Sequence, residues 1–292
     1  GLVDKAGDEV AFGQRVAALV GEDRFDKRPG RYVHTSLRTW LAAFRPVTPG
    51  RKIGVITVAG TIVDGKAGPG TAGGDRIAAL LDEAVKEDFA GLVIRVDSPG
   101  GSVMASERIR NAVQRWKAKG IPVAVSMANV AVSGGYWVST PADRLFAEPS
   151  TITGSIGIFA VVPSFERALA DWGVTSDGVK TTPLSGQPDL LGGLSPAVSG
   201  MIQANIEHGY ARFLSLVATS RKKTPEQIDA LAQGRVWDGG TARQNGLVDQ
   251  FGGLDAALEY VAQQAKLKAG EWHPVYLGQT EDGVRMLLEG LA

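Results

Sequence analysis

The chain has 292 residues, 44% of them hydrophobic, and its 31 basic and 31 acidic residues give a formal net charge of zero. This length allows a substantial core in one large or two ordinary domains, and the neutral balance argues against binding to nucleic acid or to an anionic membrane surface. The absence of cysteine excludes disulfides, thiolate metal sites and a cysteine nucleophile, and three histidines argue against a histidine metal cluster. No run reaches the roughly 18 consecutive apolar residues of a membrane span, and no signal peptide is predicted.

The N-terminus repeats a motif found near the C-terminus. Residues 1–12, GLVDKAGDEVAF, resemble residues 246–257, GLVDQFGGLDAA, and a helix-like segment follows G-L-V-D in both copies. We interpret residues 1–20 as the tail of a preceding homologous module and expect the chain to start in mid-protein. A match of this length can also arise by chance. We interpret residues 21–50 as an inter-module linker. The first part of this segment is charged, and the part that follows contains aromatic residues and two prolines.

From residue 51 the pattern becomes α/β. Two units are predicted, each a strand, a connecting loop or turn, and an amphipathic helix: Ile53–Val58 with Asp75–Lys86, and Gly91–Asp97 with Val103–Lys119. Such βαβ crossovers are right-handed and place their strands in parallel. The predicted fold class is therefore α/β, with a mainly parallel sheet flanked by helices. We assign residues 51–270 to this module and residues 271–292 to a C-terminal extension.

The strongest chemical signal follows the third strand. This strand, Ile121–Met127, runs through small residues into S-G-G at 133–135, and a short helix-compatible segment follows at Tyr136–Thr140. A serine at such a turn has its hydroxyl at a helix N-terminus, where free N–H groups favour developing negative charge. Ser133 is therefore a candidate nucleophile. The alternative interpretation is an N-cap serine followed by turn glycines.

A second glycine-rich turn lies one unit upstream. D-S-P-G-G-S at 97–102 follows the preceding buried strand, so two consecutive strands end in such turns at one edge of the sheet. Open α/β sheets hold their ligands at this edge. The N–H groups of Gly100 or Gly101, together with that of Gly134, are predicted to converge on one oxyanion.

Shorter elements are predicted in the remainder of the module. They are strands at Leu145–Ala147 and Ile156–Val162, a helix at Ser164–Trp172, a long helix at Ser195–Lys223, a helix start at Thr224 with Pro225 in the first helical position, and a final strand and helix around Arg235–Trp237 and Thr241.

Three motifs in order, D-S-P-G-G-S at 97–102, S-G-G-Y-W at 133–137 and T-G-S-I-G at 153–157, together resemble the signal peptide peptidase A family, also called protease IV. The resemblance covers about residues 52–265. It implies a fold like that of the Clp protease proteolytic subunit and the crotonases, built from repeated β-β-α and βαβ units. It also implies Ser133 as nucleophile and a lysine as general base, with no metal, nucleotide or organic cofactor.

The general base is not evident in this sequence. The resemblance implies a lysine within Ser176–Leu190, where Lys180 is the only lysine, but the family's position falls near Leu184 or Ser185. Lys180 is either the base or a surface lysine. In the duplicated form of the family the lysine comes from the N-terminal module, so we expect the base to lie in a missing module and the isolated chain to be inactive. Ser155 is a candidate hydrogen-bond partner of the incoming amine, or a turn cap.

The sequence thus predicts the C-terminal module of a serine endopeptidase that degrades signal peptides and other short apolar peptides. The resemblance implies a cyclic homo-oligomer, anchored to the bacterial inner membrane by a missing N-terminal segment, with its catalytic part on the periplasmic or extracytoplasmic side. No nucleic-acid partner is expected. One alternative is a crotonase-like acyl-coenzyme A enzyme. Such an enzyme would more naturally use a carboxylate at the reacting centre, and this sequence offers no basic cluster for the coenzyme's phosphates. Another is a non-catalytic assembly module.

Overall fold

The computed structural model describes residues 4–37, 39–40, 49–68 and 70–278, and it divides into two compact units, residues 1–48 and 49–292. In the first unit, helix α1 (Glu9–Val20) begins where the Asp8 carboxylate accepts the Ala11 N–H at 2.8 Å. The helix-like segment predicted there is confirmed. Gly1–Val3 of the repeated motif lie outside the described residues, and the origin of this helix in a preceding module stays a prediction.

The described part of the second unit contains one eight-stranded sheet and a separate two-stranded one. The strands are β1 (Arg51–Ala59), β2 (Ile62–Val63), β3 (Ala72–Gly73), β4 (Phe89–Ser98), β5 (Val123–Val132), β6 (Arg144–Ala147), β7 (Ile152–Gly154), β8 (Val236–Asp238), β9 (Gln250–Phe251) and β10 (Trp272–Tyr276). The large sheet has the order β10-β1-β4-β5-β6-β9, all parallel. Strand β7 pairs in parallel with the end of β5 and antiparallel with β8. Strand β2 pairs with β3 in the small sheet.

Helices cover both faces of the large sheet. They are α2 (Gly74–Ala84), α3 (Val103–Ala118), α4 (Gly134–Ser139), α5 (Glu166–Asp171), α6 (Pro196–Arg221), α7 (Pro225–Asp229), α8 (Gly239–Gln244) and α9 (Leu254–Gln264). The predicted α/β class with a mainly parallel sheet is confirmed. The predicted cap of α7 is confirmed as well, since Thr224 and Gln227 form a reciprocal capping box with Pro225 in the first turn.

Side-chain alternation along the central strands divides the core into two layers. On β1, Ile56 and Val58 pack under α2 and α3, whereas Ile53 and Val55 pack against α9 on the opposite face. Alternation with a period of two is the geometry of a strand, and helices on both faces explain why these strands are apolar almost throughout.

Two boundaries and one predicted strand differ from the sequence-based expectation. Strand β5 does not end at Met127 but continues to Val132 through its pairing with β7, so Ser133 follows the strand directly. The strand predicted at Ile156–Val162 is wrong, because the positive φ angles of the two residues before it turn the chain out of the sheet. Residues 272–276, assigned to a C-terminal extension, form β10 and pair with β1.

Parallel pairing brings the functional motifs to one edge of the sheet. Strands β4 and β5 end at Ser98 and Val132, and β7 ends at Gly154 beside Val132. The turns that follow these strands therefore meet, as expected for ligand sites of open α/β sheets. Within the described residues, no helix is long and apolar enough to span a membrane.

Candidate active site

Ser133 occupies a strained position between β5 and α4. Its φ of 53° and ψ of −118° are rarely adopted by a residue with a side chain. Two backbone hydrogen bonds hold it there: its N–H donates to the Gly154 carbonyl at 2.9 Å, and its carbonyl accepts the Trp137 N–H at 2.9 Å. Its hydroxyl is partly exposed and has no hydrogen-bond partner among the described residues. The turn thus presents a free hydroxyl at the N-terminus of a helix.

The neighbouring Gly100–Ser102 turn is fixed by strand β2. The Ile62 N–H donates to the Gly100 carbonyl at 2.8 Å, and the Ser102 N–H donates to the Ile62 carbonyl at 2.8 Å. The peptide groups on both sides of Gly101 are therefore held. The Gly101 N–H is left without a partner in the described chain and lies at an exposed position.

A buried serine decides which glycine can donate to an oxyanion. The Ser98 hydroxyl donates to the Gly60 carbonyl at 2.7 Å and accepts the Gly100 N–H at 3.1 Å. Because the Gly100 N–H is occupied, Gly101 is the free donor of the two candidates. The Gly134 N–H is also available, since it lies in the first turn of α4.

Glycine is required at both turns because the two backbones touch. A Cβ at Gly100, whose φ is 93°, would lie 2.6 Å from the Gly134 nitrogen and 2.8 Å from Ser133 Cβ. A Cβ at Gly134 would lie 3.2 Å from the Gly101 nitrogen. This approach places the Gly101 and Gly134 N–H groups next to each other beside the serine, as an oxyanion hole requires.

Ser133 borders two cavities. The small cavity has a volume of about 60 Å³ and is lined mainly by apolar side chains and glycines: Gly101, Val103, Ser106, Ser133, Gly134, Trp137, Gly157, Ile158, Phe159 and Phe213. The large cavity has a volume of about 560 Å³ and is lined by Ser133, Ser155, Gly157, Ile158, Phe159, Gln203, Ile206, Glu207, Tyr210, Gln233 and Gly234. The nucleophile candidate therefore lies between a small niche and a wider, more open groove.

A charged cluster supports the wall of the small cavity. The Glu107 carboxylate accepts hydrogen bonds from Trp137 Nε1 at 2.7 Å, from Arg110 Nε at 2.9 Å and from an Arg212 terminal nitrogen at 3.3 Å. Trp137 in turn packs on Phe213, with 4.7 Å between ring centroids. Burial opposes ionisation of Glu107, but the hydrogen bonds and the nearby guanidinium groups outweigh it, and its pKa lies below the ordinary value.

Ser155 lies next to Ser133 on the large cavity. It directly follows Gly154, the residue whose carbonyl accepts the Ser133 N–H. Its own N–H donates to the Arg235 carbonyl at 2.7 Å, and its φ of 49° turns the chain out of the sheet. The structure thus brings Ser155 and Ser133 to one cavity, and the role of Ser155 towards an incoming amine stays a prediction.

Lys180 is not brought to the site. Its side chain is exposed, and it does not line either cavity that borders Ser133. Leu184 and Ser185, at the position expected from the family resemblance, do not line these cavities either. Among the residues that the structure describes, no lysine or histidine lines the two cavities.

Sequence reasoning missed three residues around the site: Ser98, Glu107 and Tyr210. Ser98 enters the sequence analysis only as part of a turn motif, and neither Glu107 nor Tyr210 is singled out there. Their partners are distant in sequence, with Gly60 lying 38 residues before Ser98. No short sequence pattern predicts such contacts. Within the described chain, no group of three or more histidine, aspartate or glutamate side chains forms a metal-ligand set.

Comparison with known proteins agrees with the motifs. The profile of Peptidase family S49 matches residues 115–268, slightly more than half of the chain. The chain is 46% identical over 261 residues to "Protease 4" of Salmonella typhi, covering 89% of this chain and 41% of that protein. It is 34% identical over 186 residues to "Putative signal peptide peptidase SppA" of Enterococcus faecium, covering 64% of this chain and 53% of that protein.

Among solved structures, a ClpP1 mutant from Listeria monocytogenes matches 70% of this chain and 94% of its own, with 14% identity and a TM-score of 0.48. The chain spans about half or less of the length of the curated relatives named above. Those relatives are named as peptidases, and neither the acyl-coenzyme A enzyme nor the non-catalytic module is supported by them. With the profile match and the catalytic motifs in agreement, this chain belongs to peptidase family S49.

Proposed function

We propose that this chain is the nucleophile-bearing module of a serine endopeptidase. Ser133 Oγ attacks the scissile carbonyl, and the N–H groups of Gly101 and Gly134 stabilise the oxyanion that forms. The observation that carries this proposal is the strained turn at Ser133, which directs a free hydroxyl to a cavity beside two free N–H groups. Such strain persists only where the surroundings enforce it, and it is common at catalytic residues.

The base is proposed to be a lysine amine supplied from outside these 292 residues. A serine hydroxyl is a weak nucleophile until a base takes its proton, and no lysine of the described residues lines either cavity at Ser133. The amine enters the large cavity beside Ser155, whose hydroxyl orients it. Desolvation there lowers the pKa of the amine, so that its neutral form is present near neutral pH.

The substrates are proposed to be unfolded or short apolar peptides, including cleaved signal peptides. The small cavity has aromatic and aliphatic walls around Trp137, Ile158 and Phe213, which favour an apolar substrate side chain next to the scissile bond. The full-length protein is proposed to act at the bacterial inner membrane, on its extracytoplasmic side.

Assembly into a closed ring of modules is part of the proposal. Apolar side chains after β7 are strongly exposed in this chain, among them Phe159 at 84%, Trp172 at 86% and Val179 at 100%. Exposed apolar groups at such density favour association with another surface. We propose that a homologous module of the full-length protein covers them and brings the base to Ser133.

Replacing Ser133 tests the proposed function. In the full-length protein, Ser133→Ala should lower kcat on an apolar peptide ester by about 10⁴-fold or more, with the fold intact. A fluorophosphonate probe should label the wild-type serine and leave Ser133→Ala unlabelled. The control variant Ser126→Ala, which replaces a buried serine on the preceding strand β5, should still be labelled. Retained turnover in Ser133→Ala, or labelling of that variant, would contradict the assignment.

A further inference from the structure

A tyrosine of α6 forms the centre of a hydrogen-bond cluster at the large cavity. The partly buried Tyr210 hydroxyl donates to a carboxylate oxygen of Asp229, the last residue of α7, and accepts the Gln233 N–H at 3.1 Å. The Gln233 side-chain amide also donates to the other Asp229 oxygen at 3.4 Å. One hydroxyl thus joins a long helix, a short helix and the turn that follows.

The turn at Gln233–Arg235 is docked on the chain beside the nucleophile. The Gly234 N–H donates to the Ile156 carbonyl at 3.0 Å, and the Ser155 N–H donates to the Arg235 carbonyl at 2.7 Å. These two bonds run in opposite directions between the same two segments. A movement of the turn therefore moves Ser155 with it.

Both segments contain residues in the left-handed region. The φ angles of Gln233 and Ser155 are 58° and 49°, although neither residue is glycine. Such conformations are unfavourable in isolation and are maintained by surrounding contacts. Tyr210 supplies the contact at the N–H of Gln233, the first residue of the 233–235 turn.

A further backbone bond connects this turn to the nucleophile. Ser155 follows Gly154, whose carbonyl accepts the Ser133 N–H at 2.9 Å. Tyr210, Gln233, Ser155 and Ser133 all line the large cavity. The Tyr210 hydroxyl is therefore connected to Ser133 through the 233–235 turn and the short segment 154–155. Two backbone hydrogen bonds complete this connection, one from Ser155 to Arg235 and one from Ser133 to Gly154.

We propose that Tyr210 and Asp229 are positioning residues of the peptidase site, which fix the 233–235 turn and thereby the location of Ser155 relative to Ser133. The inference rests on the proposed function, in which Ser155 orients the incoming base. Neither residue touches the reacting atoms. Their effect is on the geometry in which the base and the nucleophile meet, and errors of about 1 Å in such geometry can cost roughly 100-fold in rate.

The protonated tyrosine is the form that this arrangement requires. Burial and the hydrogen bond to Asp229 raise the pKa of Tyr210 to about 12, so its hydroxyl remains a donor at neutral pH. Tyr210→Phe removes only the hydroxyl oxygen and leaves the ring that lines the large cavity. Because the ring and the shape of the cavity are retained, the loss is expected in kcat rather than in KM.

The test compares variants of the full-length protein on a short apolar peptide ester. Tyr210→Phe and Asp229→Ala should lower kcat per titrated active site by about 10- to 100-fold, with KM changed by less than about twofold. Asp229→Asn should retain most of the activity, because its amide oxygen still accepts the tyrosine hydroxyl. Tyr260→Phe is the matched control, since Tyr260 packs beside Phe146 on the opposite face of the sheet.

Amide hydrogen exchange gives a readout that does not depend on catalysis. Tyr210→Phe should accelerate exchange of the Ser155 and Gly234 amides relative to wild type, and Tyr260→Phe should not. If exchange accelerates while wild-type protein lacks peptidase activity, the positioning contact stands and the proposed function fails. Wild-type kcat and exchange in Tyr210→Phe, or equal losses in Asp229→Asn and Asp229→Ala, would overturn the inference.

Discussion

The two sides of Ser133 are built differently. On the oxyanion side, the Gly100–Ser102 turn is held by β2 and by the buried Ser98, and the glycine backbones of two turns are in contact. On the other side, residues 157–195 contain only the short helix α5, which buries none of its residues, and several apolar side chains are exposed. The first side is complete within this chain. The second exposes apolar side chains, as expected for a surface that the proposed partner module covers.

The difference is consistent with the division of the chemistry that we propose. Oxyanion donors must be preorganised, because their contribution comes from dipoles that do not reorient during the reaction. Local backbone bonds and close glycine contacts achieve this without any outside group. A base needs only to reach the serine hydroxyl in a desolvated site, and it can therefore come from a different module.

Among changes to the surroundings of Ser133, the largest expected effect comes from breaking the oxyanion side. Gly100→Ala should lower kcat of the full-length protein by about 10²–10³-fold, because the new Cβ would lie 2.6 Å from the Gly134 nitrogen and push the two turns apart. Gly120→Ala is the matched control: Gly120 also has a positive φ, 74°, but a Cβ there meets nothing within 4 Å. Equal kcat losses in both variants would point to backbone strain alone and contradict the contact argument.

A smaller effect is expected from Ser98→Ala. This change frees the Gly100 N–H and leaves the Gly60 carbonyl without its donor, so the turn should loosen and kcat should fall roughly tenfold. The free energy of unfolding of the Ser98→Ala variant should be lower than that of wild type by about 1–3 kcal/mol. Ser126→Ala removes a buried hydroxyl that accepts a hydrogen bond from Arg95, and should lower stability without lowering kcat. Loss of kcat in both serine variants would show that stability, not the turn, is responsible.

The charge of Glu107 gives a test in which the stability of the protein depends on pH. Because its folded-state pKa is depressed, its contribution to stability is present above the ordinary value of 4.5 and is lost as pH falls through the lower folded-state value. The melting temperatures of wild type and Glu107→Gln should therefore differ near neutral pH and converge below pH 4.5. Thermal melts from pH 7 to pH 3 measure this, and a constant difference over that range would contradict it.

The smallest effect is expected on the base side of this chain. Lys180→Ala should change kcat and KM of the full-length protein by less than about twofold, because the side chain is exposed and does not line either cavity at Ser133. The 292-residue chain alone should be nearly inert towards the same ester. Robust hydrolysis by this chain that disappears in Lys180→Ala would identify Lys180 as the base and reverse the proposal.

The sequence was sufficient where short-range patterns carry the information. Apolar runs gave the central strands to within a few residues, helical spacing gave α2, α3 and α6, and the Thr224-Pro225 pair gave the start of α7. Glycine-rich turns after two successive strands located the neighbourhood of Ser133. These features depend on residues that are close in sequence, so their physical cause can be read locally.

Tertiary structure decided what depends on distant partners. Pairing with β7 extended β5 to Val132, and the hydroxyl of Ser98 left Gly101, not Gly100, as the free donor. The Tyr210 contact to the 233–235 turn was likewise invisible in sequence, and only the structure decided between the two interpretations of Lys180 by showing its side chain to be exposed. Each is set by which groups the folded chain brings within about 3 Å, the range of a hydrogen bond. Local propensity does not encode that distance, because it arises only when strands and helices far apart in sequence have packed together.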